Sequence, residues 1–245
     1  MEQLPNFSST KLPGSYHSLL LSGPTACGKT SLLFRIACGI AYAGGHVLFI
    51  TDRSRLVAKP PYFCVKSDSE TVIQSWSTLP AYLKRIDMKY FDTSISQVVS
   101  SRERMIEYFC HLHSVEHHYQ MIVVDDFDMY FPGFQSSAPA MQSTLALTLA
   151  LMENIRAHIS DSIGRVCRLV LSINAADLSK MQNKHILLRT ITDVYQVSTR
   201  EASAATTGVR DHGEYELSRR TRDELHGKGC DRSGVSLSFR PKPGQ

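Results

Sequence analysis

A chain of 245 residues, 42% of them hydrophobic, is long enough to bury the core of one large domain. Its 27 basic and 23 acidic residues leave a net charge of +4, which excludes a polyanionic or polybasic protein and permits nucleic-acid contact without demanding it. No apolar run reaches the ~20 residues of a membrane-spanning helix. The six cysteines are scattered without a Cys-x-x-Cys pair, and Met1-Glu2-Gln3-Leu4-Pro5 has no basic or apolar signal region. A reduced, intracellular protein without a structural zinc site is expected.

Residues 1–14 read as an N-terminal tail, 15–240 as one domain and 241–245 as a C-terminal tail. The pattern predicts a strand at 16–22, a helix at 29–43 stopped by Gly44-Gly45, and a strand at 46–51. Residues 52–69 read as a loop, broken by Pro60-Pro61, before a helix-like stretch from Val72 to Leu83. A short strand is expected at 86–90. A helix over 94–116 follows, with Ile95, Val98, Val99, Met105, Ile106 and Phe109 at core spacing. Beyond a strand ending at Asp125, a long helix is expected from about Ala140 to His158 and a strand at 168–173. Alternation then marks strands at 190–198, 213–218 and 235–240, with 201–208 as a loop. The fold class is α/β: a mostly parallel central sheet, helices on both faces and a strand-rich C-terminal end.

Gly23-Pro24-Thr25-Ala26-Cys27-Gly28-Lys29-Thr30 has the spacing of a P-loop, followed by Ser31 and an apolar helix pattern. A buried strand feeding a glycine turn that opens a helix presents N–H groups to phosphate. Lys29 is expected to reach the β- and γ-phosphates of ATP, and the Thr30 hydroxyl to take a Mg²⁺ position. A second motif supports this: Met121-Ile122-Val123-Val124 ends in Asp125, a carboxylate expected to face the Mg²⁺ shell. Asp126 and Asp128 either orient a water or stand solvated at the strand end. Asn174 is a γ-phosphate sensor or a simple strand-end cap.

Lys29 and Asp125 lie 96 positions apart, room for two further strand–helix units between the motifs. The chain resembles the RecA-fold recombinase paralogues, most closely the small family of ATPases that partner a SWIM-type zinc-finger protein in the Shu complex. The resemblance rests on Ser18-Leu19-Leu20-Leu21, Lys29-Thr30-Ser31-Leu32-Leu33-Phe34, Val47-Leu48-Phe49-Ile50-Thr51, Leu83-Lys84-Arg85-Ile86, Phe109-Cys110-His111-Leu112-His113 and Val235-Ser236-Leu237-Ser238-Phe239-Arg240. It implies a RecA-type P-loop NTPase without the helical N-terminal domain of full-length recombinases. It also implies binding of ATP and single-stranded DNA, and a nuclear role in homologous recombination. There the protein would support recombinase filaments beside its SWIM-domain partner and the recombinase paralogues. RecA-type enzymes carry a water-activating glutamate beyond the second core strand. Arg53 stands about there, with Asp52 one position away. A displacement of about 1 Å in such a group costs on the order of 10²-fold in rate, so slow hydrolysis is expected, with ATP serving to order a binding surface.

DNA contacts are sought in the loops after Asp125 and after Ile173. Tyr130, Phe131 and Phe134 either stack on bases or fill a loop core or partner interface. Lys180, Lys184 and Arg189, with the cluster Arg219-Arg220-Thr221-Arg222, are the candidate phosphate contacts, the cluster being equally a salt-bridged loop. Cys27, at a helix N-terminus, is expected to have a lowered thiol pKa. His111, His113, His117 and His118 beside Cys110 read as a histidine-rich helix end rather than a metal site. Two competing functions remain: an AAA+ or initiator-like ATPase, which needs a helical lid after the core, and a non-hydrolysing P-loop scaffold for the partner.

Overall fold

The computed structural model describes residues 16–59, 61, 81–94, 96–113, 118–200, 214–220 and 237–239. Both tails, the 201–208 loop, most of the expected 72–83 helix, and Ile95, His117 and Arg222 lie outside the described residues.

The strands are β1 (Ser18–Gly23), β2 (His46–Thr51), β3 (Ile86–Tyr90), β4 (Tyr119–Val124), β5 (Arg168–Asn174), β6 (Asp193–Arg200), β7 (Glu214–Arg220) and β8 (Leu237–Phe239). They form one eight-stranded sheet in the order β3-β2-β4-β5-β1-β6-β7-β8. The pairings from β3 across to β6 are parallel, and β7 and β8 add on antiparallel. The helices are α1 (Lys29–Tyr42), α2 (Arg53–Ala58), α3 (Val98–Leu112), α4 (Pro139–Ile163) and α5 (Lys184–Thr190). Among the described residues no helix is long and apolar enough to cross a membrane.

The central strands carry apolar residues toward both faces because both faces are covered. Leu19, Leu21, Val47, Phe49, Met121, Val123 and Val170 pack on one face against Leu33, Phe34, Ile36 and Ala37 of α1. The intervening Leu20, Leu48, Ile50, Ile122, Val124, Leu169 and Leu171 pack on the other against α3, α4 and α5. The period-two alternation of a strand thus divides one run of leucines and valines between two cores. Because β5 lies between β1 and β4, the segments leaving all three strands meet at the carboxyl edge of the sheet, where open α/β sheets bind ligands.

Three expectations change. Residues 53–58, read as loop, form α2, because the Asp52 carboxylate caps the amides of Ser54 and Arg55. Residues 184–190 also form a helix, α5, with Ile186, Leu187 and Leu188 buried against the core, so β6 begins only at Asp193. Helix α3 starts at Val98 rather than 94, and its Val99 is 48% exposed rather than part of the core.

Candidate functional site

Gly23 ends β1 under tight packing. A Cβ there would stand 2.6 Å from the Val197 carbonyl oxygen and 2.7 Å from Cys27 Sγ, too close for any side chain. Gly28, the N-cap of α1, has φ +84°, a left-handed conformation open to glycine at no steric cost. Ala26 shares that region at φ +64°, so the loop stores backbone strain where phosphate is expected to dock. Successive turns of this kind point main-chain N–H groups into one concavity.

Lys29 is 4% exposed. Its ammonium donates to the carbonyls of Gly23 (3.1 Å) and Pro24 (2.8 Å) and to Asn174 Oδ1 (3.2 Å). It is thereby held across the mouth of the P-loop by groups that phosphate oxygens can replace. The Thr30 hydroxyl donates to Asp125 Oδ2 at 2.8 Å. The Ser172 hydroxyl of β5 donates to Asp125 Oδ1 at 2.7 Å while accepting from the Asp126 N–H at 2.7 Å. Burial, and then the neighbouring Asp126 charge, push the Asp125 carboxyl up to about 6, against the hydrogen bonds from Ser172 and Thr30.

Two hard oxygen donors, one on a buried carboxyl that resists ionisation, fit a divalent cation, which would restore the charged form. Mg²⁺ takes one or two protein ligands and completes its octahedron with phosphate and water. Among the described residues no group of three or more His, Cys, Asp or Glu side chains is arranged around a common metal position. Any metal here would therefore need further ligands from a bound group or water.

Asp126, in the left-handed region at φ 49°, pairs through Oδ2 with Arg55 Nη2 of α2 at 2.6 Å. Its Oδ1 accepts from Asn174 Nδ2 at 2.9 Å. The Asn174 N–H donates to Asp128 Oδ1 at 3.0 Å, and burial raises the Asp128 pKa. Asn174 is thus more than a strand-end cap: it joins Lys29 to Asp126, and Asp126 joins α2. Arg55 and Ser172 were missed in the sequence. A serine inside the apolar run of β5 was the legible signal, since a buried hydroxyl must find a partner. Arg55 gave none, because its helix was read as loop.

Beyond β2, neither residue stands ready to activate water. Asp52 Oδ1 accepts from the Ser54 N–H and hydroxyl, both at 2.7 Å. Its Oδ2 accepts from the Thr93 N–H at 2.8 Å and hydroxyl at 2.5 Å. Burial alone would raise this carboxyl, but those hydrogen bonds prevail and hold it at about 2. The Arg53 guanidinium turns to solvent over the Tyr90 ring, 5.9 Å from its centroid, on the wall of an open cleft of about 810 Å³.

Other expected sites are rearranged. Tyr130, Phe131 and Phe134 are 0, 1 and 6% exposed and pack within the core, which fits the loop-core reading and leaves no ring face open to a base. Burial raises the Cys27 thiol pKa and outweighs the Lys29 charge, reversing the expectation of a lowered value. Lys180 is exposed and 3.5 Å from Asp177, Lys184 donates to the Ser179 carbonyl, and Arg189 is exposed at the end of α5. Arg219 and Arg220 lie on β7, paired with Asp193 and Gln196. His113 packs against the His158 ring at 4.8 Å.

The chain matches no protein-family model and no curated protein.

Proposed function

We propose that this protein is a RecA-type P-loop ATPase that binds ATP with Mg²⁺ and hydrolyses it slowly. The observation that carries the reading is the convergence of Lys29, Thr30, Asp125 and Asn174 at one point on the carboxyl edge of the sheet. The loop amides and the α1 N-terminus bind the phosphates, and Lys29 leaves its carbonyl partners to meet the β- and γ-oxygens. Thr30 and Asp125 would hold Mg²⁺, which supplies charge neutralisation at the phosphates. Asn174, already bonded to Lys29, reads the γ-position. The run β6–β8 supports the RecA type over an AAA+ protein, whose core is followed by a helical lid.

The cellular role follows the family resemblance: an accessory factor in homologous recombination in the nucleus. There the protein binds single-stranded DNA, acts with a SWIM-type zinc-finger protein and supports recombinase filaments. Lys180, Lys184 and Arg189 around α5, with Arg219 and Arg220 on β7, are the phosphate contacts in this reading. Arg222 would join them but lies outside the described residues.

Fluorescence anisotropy with a labelled single strand, at low and physiological salt and with or without ATP and Mg²⁺, tests this. ATP-dependent binding that disappears in Lys29→Ala is the expected result. Absence of binding in every condition, with the SWIM-type partner also present, overturns the DNA role. One observation favours a second reading, a non-hydrolysing scaffold for the partner: the Asp52 carboxylate beyond β2 is fully committed, one oxygen capping α2 and the other held by Thr93. A scaffold keeps partner binding in Lys29→Ala.

A further inference from the structure

A single strand is held by cations along its backbone and by rings on which its bases stack. Among the described residues, the loops after β4 and β5 offer no open ring, since Tyr130, Phe131 and Phe134 are buried. Several of the expected cations are also engaged: Lys180 stands 3.5 Å from Asp177, Arg219 pairs with Asp193, and Arg220 bonds Gln196. An open ring and unpaired guanidiniums coincide elsewhere, in the open cleft of about 810 Å³ walled by α2, the end of β3 and the first turns of α3.

Tyr90, on the wall of that cleft, is 42% exposed. Among the described residues the other exposed aromatic ring is Tyr42, which packs edge-on against Tyr82 at 5.6 Å. The Arg53 guanidinium lies over Tyr90, 5.9 Å from the ring centroid. Arg104 of α3 lines the same cleft and donates to the Ser101 hydroxyl at 3.0 Å. Neither arginine has a carboxylate partner among the described residues, whereas Arg55, Arg156 and Arg219 each pair with an acid. Gln97, also on the wall, makes no side-chain cap for α3, so its amide is open to a ligand. Of the two carboxylates lining the cleft, Asp52 is fully engaged and Asp92 is exposed, with Oδ1 accepting from the Ser94 N–H at 2.7 Å.

The chemistry that fits these walls is a phosphodiester carrying a base. Guanidinium is weakly hydrated and matches phosphate oxygens in a fork. Bases stack both on aromatic rings and on guanidinium planes. An acidic peptide would meet the arginines but leave the Tyr90–Arg53 stack idle. The cleft is open rather than enclosed, which lets a chain enter and leave. We propose that this cleft is a contact site for single-stranded nucleic acid, with a base on the Tyr90–Arg53 stack and phosphate oxygens on Arg53 and Arg104. The inference rests on the single-strand reading above, and it holds whether or not the P-loop is occupied.

Fluorescence anisotropy of a labelled oligothymidylate over a salt series, on the full chain with ATP and Mg²⁺ present, tests the site. Tyr90→Ala should weaken strand binding about tenfold, and Tyr90→Phe, which keeps the ring, should bind as wild type. Arg53→Gln combined with Arg104→Gln should flatten the slope of log K against log salt by about 1.4, the share of two phosphate contacts on a single strand. All of these side chains are exposed, so the variants should melt close to wild type and bind a fluorescent ATP analogue as wild type does. Free thymidine monophosphate and an oligoglutamate should each compete far more weakly than unlabelled strand. Wild-type affinity and salt slope in Tyr90→Ala and in the double arginine variant overturn this site and leave the strand reading intact. Competition by the monophosphate or the oligoglutamate equal to that of the strand also overturns it, in favour of a small-molecule or acidic-peptide site. A wild-type protein that binds no strand in any condition, with the SWIM-type partner also present, sinks the strand reading itself and this inference with it.

Discussion

The Thr30 hydroxyl and the Asp125 carboxylate, 95 positions apart, meet at 2.8 Å across the ends of β1 and β4. The contact needs β5 between those strands, and β5 uses the position to place Ser172 on the other Asp125 oxygen. Both carboxylate oxygens are therefore oriented before any ligand arrives. Such preorganisation would spare reorganisation on binding a cation.

Asp125→Asn keeps the shape of this contact and removes its charge. The Mg²⁺-dependent part of nucleotide affinity should fall by about tenfold to a hundredfold, with metal-free affinity little changed. Titration of a fluorescent nucleotide with and without Mg²⁺ reads the difference. Equal losses in both conditions would show that Asp125 supports the loop rather than the metal.

Gly23→Ala should fail structurally at the same site. Its methyl group meets the Val197 carbonyl and Cys27 Sγ, both closer than 3 Å. Overpacking of this kind costs about 1–3 kcal/mol, and here it also distorts the P-loop. Urea unfolding should show the lower stability, and nucleotide affinity should fall with it.

Asp52 gives a pH dependence with a definite sign. Its carboxyl is held at about 2 in the folded chain against an ordinary value of 3.8. A carboxyl depressed on folding contributes stability that is present above its unfolded pKa and lost as pH falls through the folded one. This contribution should therefore fade between about pH 4 and pH 2. Asp52→Asn should flatten the acid limb of the thermal-melting profile, whereas an unchanged limb would assign it to other carboxyls.

Phe131→Ala decides between core and base stacking for the aromatic segment after β4. The ring is 1% exposed and packs on Phe127 at 4.8 Å, so the substitution should cost about 3–5 kcal/mol of stability. DNA affinity per folded molecule should stay unchanged. A selective loss of DNA affinity at wild-type stability would restore the stacking role.

Cys27 should resist alkylation at neutral pH. The thiolate is the reactive form, and burial raises the Cys27 pKa even beside Lys29. Exposed Cys110 is the internal standard. Mass spectrometry after brief iodoacetamide treatment should find Cys110 modified well before Cys27.

Sequence by itself determined the α/β class, the order of the strands and longer helices along the chain, and the positions of the glycine turn before Lys29 and the strand end at Asp125. These signals are local: apolar runs mark strands buried on both faces, and the Gly–Lys–Thr spacing sits between a strand and a helix. Helices α2 and α5 escaped because each is under eight residues and carries little periodicity. The tertiary structure alone decided what the strand ends hold in common. Strand order brings Thr30 to Asp125, Asn174 between Lys29 and Asp126, and Arg55 onto Asp126, and none of these pairings has a signature along the chain. It also decided the fate of single side chains. Burial turned Cys27 from an activated thiol into a suppressed one and chose core over stacking surface for Phe131, because desolvation depends on what surrounds a group rather than on its neighbours in sequence.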